Sequence, residues 1–122
     1  MLKKGFLFFA LLLIPVLAQS GEQATITGQI VDAKCYLTMN MSGADHIKCA
    51  VKCAKAGHPL ALAADNTGQL FFFIFKDPEK GLEQLIKLAE KRVEVKGEVF
   101  YEANAISVAS ITPIKVMKEM KK

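Results

Sequence analysis

The sequence predicts a mostly β domain of the α+β class, a five-stranded barrel that carries two helices. Three observations predict it. Apolar and polar residues alternate over 25–31 and 93–99, the period of half-buried strands, and 105–111 reads as a further strand after a turn near Ala103-Asn104. Two more short apolar runs, 60–64 and 69–75, flank Asp65-Asn66-Thr67-Gly68, a turn sequence. Two segments of helical spacing with recognisable ends, 44–56 and another starting at Asp77, interrupt the strands.

The elements follow in chain order. In Thr25 to Val31, Ile26, Gly28 and Ile30 share one face and Thr25, Thr27 and Gln29 the other. This strand runs into Asp32 and Cys35, and a polar loop with two methionines, Thr38 to Gly43, is expected next. The helix from Ala44 to Ala56 has Ser42 or Asp45 to accept amide protons at its start, and Gly57 and Pro59 to end it. Lys48, Lys52 and Lys55 occupy its outward face, and Ile47, Val51 and Ala54 form an apolar flank. His46, Cys49, Ala50 and Cys53 fall on a third stripe.

Leu60 to Ala64 reads as the second strand and Gln69 to Phe75 as the third. The run Phe71 to Phe75 is apolar at every position, which predicts burial on both faces. Asp77-Pro78-Glu79 begins the second helix with a capping carboxylate, a proline at the first helical position and an acid in the positive field of the N-terminus. Leu82, Leu85, Ile86 and Ala89 form its apolar stripe. Val93, Val95, Gly97 and Val99 mark the fourth strand, and Ala105 to Ile111 the fifth. With the first helix taken as an insertion after strand one, the order β-β-β-α-β-β is that of an OB-like Greek-key barrel. A small α+β sheet with two helices on one face is the alternative.

The ends of the chain read differently. Lys3 and Lys4 precede an apolar run from Phe6 to Leu17, followed by small residues suited to cleavage after Ala18 or Ser20. Residues 1–20 are therefore expected to be a cleaved signal peptide, 21–114 the domain and 115–122 a charged tail. The run is short for a membrane span, so no stable anchor is expected after cleavage, and the domain is expected to be periplasmic or secreted. Loss of Lys3 and Lys4 reduces the net charge from +4 to +2. That is too mild a charge to argue for nucleic acid or a membrane surface as partner.

Three cysteines are an odd number for an exported chain, because one disulfide leaves a thiol over. Cys35, His46, Cys49 and Cys53 together make a Cys3His set, a tetrahedral complement that suits zinc. Copper(I) also takes thiolates and thioethers, and Met39 and Met41 lie in the adjoining loop. The competing assignment pairs Cys35 with Cys49 or Cys53 in a disulfide and leaves the third thiol as a buried small hydrophobe. A third assignment makes one thiol near His46 a redox group, without the C-x-x-C geometry that usually resolves it.

Other residues have plainer readings. His58 lies between the helix stop and Pro59, where a solvent-facing or capping role outweighs ligation. Asp32 serves either a turn or the orientation of a metal-bound group. Lys48, Lys52 and Lys55 form a solvated face. No Ser-His-Asp series, paired-carboxylate pattern or phosphate-binding glycine loop is present, so no enzyme is expected.

The pattern Gly28-x-Ile30-x-Asp32-x-x-Cys35, then His46-x-x-Cys49-Ala50-x-x-Cys53-x-x-x-Gly57-x-Pro59-x-x-Leu62, resembles a set of small exported bacterial proteins with an OB-like domain. The resemblance covers most of the mature chain, and its specific part is 28–62. It implies that Cys35, His46, Cys49 and Cys53 act as a unit, and it implies no substrate. The leading expectation is thus an exported zinc- or copper-binding module. A disulfide-clipped OB-like domain that binds a peptide, glycan or protein partner is the second, and a thiol redox protein the third.

Overall fold

A computed structural model of the chain describes residues 21–115. The signal peptide expected over 1–20 and the tail beyond Lys115 lie outside the described residues. Five strands close into one barrel: β1 (Glu22–Asp32), β2 (Leu60–Ala64), β3 (Leu70–Ile74), β4 (Arg92–Phe100) and β5 (Ala105–Pro113). Their order around the barrel is β1-β2-β3-β5-β4, with β4 returning to β1. Only β3 and β5 run parallel, so the topology is OB-like.

Closure rests on β1, which is long enough to serve two neighbours. Its first part pairs with β4, from Glu22 opposite Val99 to Gln29 opposite Arg92. Its last part pairs with β2, from Gly28 opposite Ala64 to Asp32 opposite Leu60. Gly28 sits at the changeover, where a Cβ would overlap the Ala63 carbonyl oxygen. The glycine lets the two strands approach. Ile30, Leu62, Val93, Val95, Val99 and Ile106 fill the interior and are fully or almost fully buried.

Three helices decorate the barrel. Helix α3 (Pro78–Lys87) lies between β3 and β4 and starts as expected, with the Asp77 side chain accepting the Lys80 amide at 3.2 Å. The segment between β1 and β2 is richer than the sequence suggests. It holds α1 (Ala33–Met39), a 3-10 turn (Ala44–His46) and α2 (Ile47–Lys55). The loop expected over Thr38 to Gly43 is thus helix at Thr38 and Met39. Asp32 caps α1 at one end, and Asn40 closes it at the other in the left-handed conformation, φ 51°. The expected helix over 44–56 is tightened into 3-10 geometry at its first three residues, and Ile47 continues it as α-helix.

A second correction concerns β3. From Phe71 on it alternates instead of being buried on both faces: Phe71 is buried and Phe73 half-buried, whereas Phe72 is 39% and Ile74 is 50% exposed. An antiparallel neighbour and a parallel one complete its hydrogen bonding, and no layer covers the outer face of Phe72 and Ile74. Among the described residues no helix is long and apolar enough to cross a membrane.

Candidate metal centre

The site forms where β1 leaves the barrel and α1, the 3-10 turn and α2 fold back over its end. Asp32 is the last residue of β1 and is completely buried. One of its oxygens, Oδ1, accepts the backbone amides of Lys34 at 3.0 Å and Cys35 at 3.3 Å. The cap starts α1 and so turns Cys35 back toward Asp32. Ala33 fixes the helix against the outside of the barrel, packed with Val31, Ala61, Ala63 and Leu70. Its amide also donates to the Pro59 carbonyl at 3.1 Å.

His46 arrives from the opposite side at the end of the 3-10 turn. It is 5% exposed, unusual for a histidine followed by a solvated helix. Asp32, Cys35 and His46 each offer a ligating atom, and these atoms lie within 4.8 Å of one another. Asp32 Oδ2 and His46 Nε2 are buried with no hydrogen-bond partner of ordinary geometry. Buried polar atoms are almost always paired, so two orphans in one cluster of metal-binding types have the character of a ligand site. The three groups could hold a metal ion.

Cys53 borders the cluster from α2. Ala50 and Ala54 on that helix are buried against the barrel, and Cys53 between them is half-buried. The amides of Ala56 and His58 donate to the Cys53 carbonyl at 3.1 and 3.0 Å, which closes the helix one turn later. The Cys53 thiol interacts with both the Asp32 carboxylate and Cys35.

The charge balance follows from these contacts. Burial pushes the Cys35 thiol up to about 11, reinforced by the neighbouring Asp32 carboxylate and by Cys53. Hydrogen bonding to Asp32, then burial, raises the Cys53 thiol. Burial alone would raise Asp32. The Cys53 thiol, the Cys35 and Lys34 amides and the Cys35 thiol outweigh it and hold the carboxyl below its usual range. The metal-free site is therefore one buried carboxylate facing two protonated thiols.

Of the four ligands read from the sequence, the structure brings Cys35 and His46 together with Asp32, and places Cys53 beside them. Cys49 is exposed on α2, three residues after His46 and outside this cluster. Met39 and Met41 are 53% and 45% exposed. His58 is exposed beyond the end of α2. Asp32, read from the sequence as a turn or orienting residue, is itself in the cluster. Its signal was the three-residue interval to Cys35, which is also the interval from a helix cap to the amide it binds. Comparison with known proteins finds no matching family model, no matching curated protein and no matching solved structure.

Proposed function

We propose that this chain is an exported metal-binding module whose ion is zinc, held by Asp32, Cys35, His46 and Cys53. One observation carries the reading: three buried side chains of ligating type converge within 4.8 Å, two of them with an orphaned polar atom. In a tetrahedral zinc site, neighbouring ligand atoms stand about 3.3 to 3.8 Å apart. The ligating atoms of Asp32, Cys35 and His46, within 4.8 Å of one another, would draw together to reach that spacing around an ion. Cys53 supplies the fourth ligand from its place beside Asp32 and Cys35.

The donor chemistry favours zinc over copper(I). One carboxylate, one imidazole and two thiolates are a mixed set that zinc accepts, whereas copper(I) prefers sulfur throughout. The two methionines that would have supplied more sulfur face solvent. Bound zinc would supply a structural tie, joining β1, α1, the 3-10 turn and α2 at one point. The raised thiols speak against a redox role for Cys35 and Cys53, since a protonated thiol is a poor nucleophile. Export rests on Lys3-Lys4, the apolar run from Phe6 to Leu17 and the small residues after it.

The test is elemental analysis of the mature protein from its native compartment, together with a free-thiol count. One zinc per chain, with three free thiols after chelation, supports the reading. A metal-free protein with a Cys35–Cys53 disulfide overturns it in favour of a stapled interaction domain.

A further inference from the structure

We infer that Glu90 is the positioning residue for His46, setting the imidazole in the cluster by pinning the backbone amide of Gly43. The inference rests on the zinc reading above and extends it to a residue on a different part of the fold.

Glu90 stands between α3 and β4 with φ 63°, a left-handed conformation that favours glycine or asparagine. The residue is 7% exposed. Oε2 accepts the Gly43 amide at 2.8 Å and Gln29 Nε2 at 3.1 Å, while Oε1 is buried with no partner. Three things are unfavourable here at once: the backbone angle, the buried carboxyl group and the orphaned oxygen. A glycine would relieve all three. Residues that break several local rules together are the ones whose side chain serves a site.

The contact it makes leads to His46. Gly43 precedes the 3-10 turn at φ 110°, ψ −178°, a conformation reserved for glycine, and no side chain caps the turn. A Cβ on Gly43 would meet nothing within 4 Å, so the backbone angle and not space requires the glycine. The Gly43 carbonyl in turn accepts the His46 amide at 2.9 Å. Glu90 Oε2 holds one side of the residue that holds His46.

The other end of this chain of contacts is β1. The Glu90 amide donates to the Ile30 carbonyl at 2.7 Å, and Gln29 Nε2 also reaches the Glu90 carbonyl at 3.2 Å. Asp32 follows two residues after Ile30 on the same strand. Both sides of the cluster are thereby referred to one rigid element, Asp32 directly and His46 through Glu90 and Gly43.

The experiment uses the mature chain as wild type, Glu90→Gly, Glu90→Asn and Glu90→Gln, with two readouts. Cobalt(II) titration reads affinity, and nuclear Overhauser contacts between the His46 ring and the Cys35 side chain read geometry in the metal-free protein. Glycine and asparagine suit the left-handed backbone, so both variants are expected to keep or raise thermal stability. Both should lose the ring contacts and bind cobalt about 10- to 100-fold more weakly, the usual effect of removing an outer-shell partner. Glu90→Gln keeps an acceptor for Gly43 and should restore both. Wild-type affinity and ring contacts in Glu90→Gly and Glu90→Asn overturn the inference, as does a loss of stability with the ring contacts retained. If the wild type binds no cobalt, the zinc reading fails, and the ring contacts still decide the role of Glu90.

Discussion

The Oδ1 atom of Asp32 accepts the backbone amide of Cys35 at 3.3 Å, so the residue that ends β1 also aims the first turn of α1. Its second oxygen is buried with no hydrogen-bond partner of ordinary geometry. One carboxylate therefore has two separable duties, capping a helix and offering a ligand. Asp32→Asn keeps the cap, because asparagine caps as well as aspartate. It should leave the metal-free fold stable and weaken zinc by tenfold or more. Asp32→Ala removes both duties and should also cost about 1 kcal/mol of stability without metal. Denaturation curves with and without chelator separate the two effects.

Cys49 and Cys53 lie one helical turn apart but differ in surroundings, exposed against half-buried beside Asp32. Cys53→Ser should abolish stoichiometric zinc binding. Cys49→Ser should leave it intact, measured by competition with a colorimetric chelator. In the metal-free wild type, alkylation at neutral pH should modify Cys49 first, then Cys53, and Cys35 last. Peptide mapping of a partial reaction gives the order.

The metal-free protein should lose stability at alkaline pH through Cys35. Burial, aided by Asp32, moves that thiol from 9.0 in the unfolded chain to about 11 in the folded one. Over that interval the folded chain keeps a proton that the unfolded chain has released. The stabilisation is complete below pH 9 and disappears as pH rises through about 11. Urea midpoints measured at both ends of the window should fall in the wild type. They should fall less in Cys35→Ala, where only the other alkaline groups titrate.

The barrel itself can be tested at Gly28, where β1 changes neighbour. A methyl group there meets the Ala63 carbonyl oxygen, which is backbone and cannot swing away. Gly28→Ala should destabilise the fold by about 1 to 3 kcal/mol, the range for overpacking. The change should appear in the urea midpoint with or without zinc.

Most of the barrel was legible because strands and caps leave local signatures. The alternation Val93, Val95, Gly97, Val99 appears in β4 as buried positions, and Asp77-Pro78 starts α3. Helix α1 was missed because Ala33 to Met39 is short and carries no long apolar period. Its evidence lay in two single residues, the capping Asp32 and the left-handed Asn40. The outward face of β3 was misread because five apolar residues in a row give no alternation, and burial there is decided by what packs above. Helical spacing grouped His46 with Cys49 and Cys53, whereas the cluster joins His46 to Asp32 and Cys35. It could not show which residue of that stripe faces β1, since this depends on the helix's rotation about its axis. The role inferred for Glu90 was invisible for a different reason: its partner Gly43 is 47 residues away, and the contact is to a backbone amide.

The most direct measurement is X-ray absorption at the zinc edge on the mature chain loaded with one equivalent of zinc. The account predicts a four-coordinate ion with two sulfur ligands and two nitrogen or oxygen ligands, one of them imidazole, and the same shell in Cys49→Ser. A first shell with three sulfurs that becomes two in Cys49→Ser, or a chain that does not retain zinc at all, would contradict it.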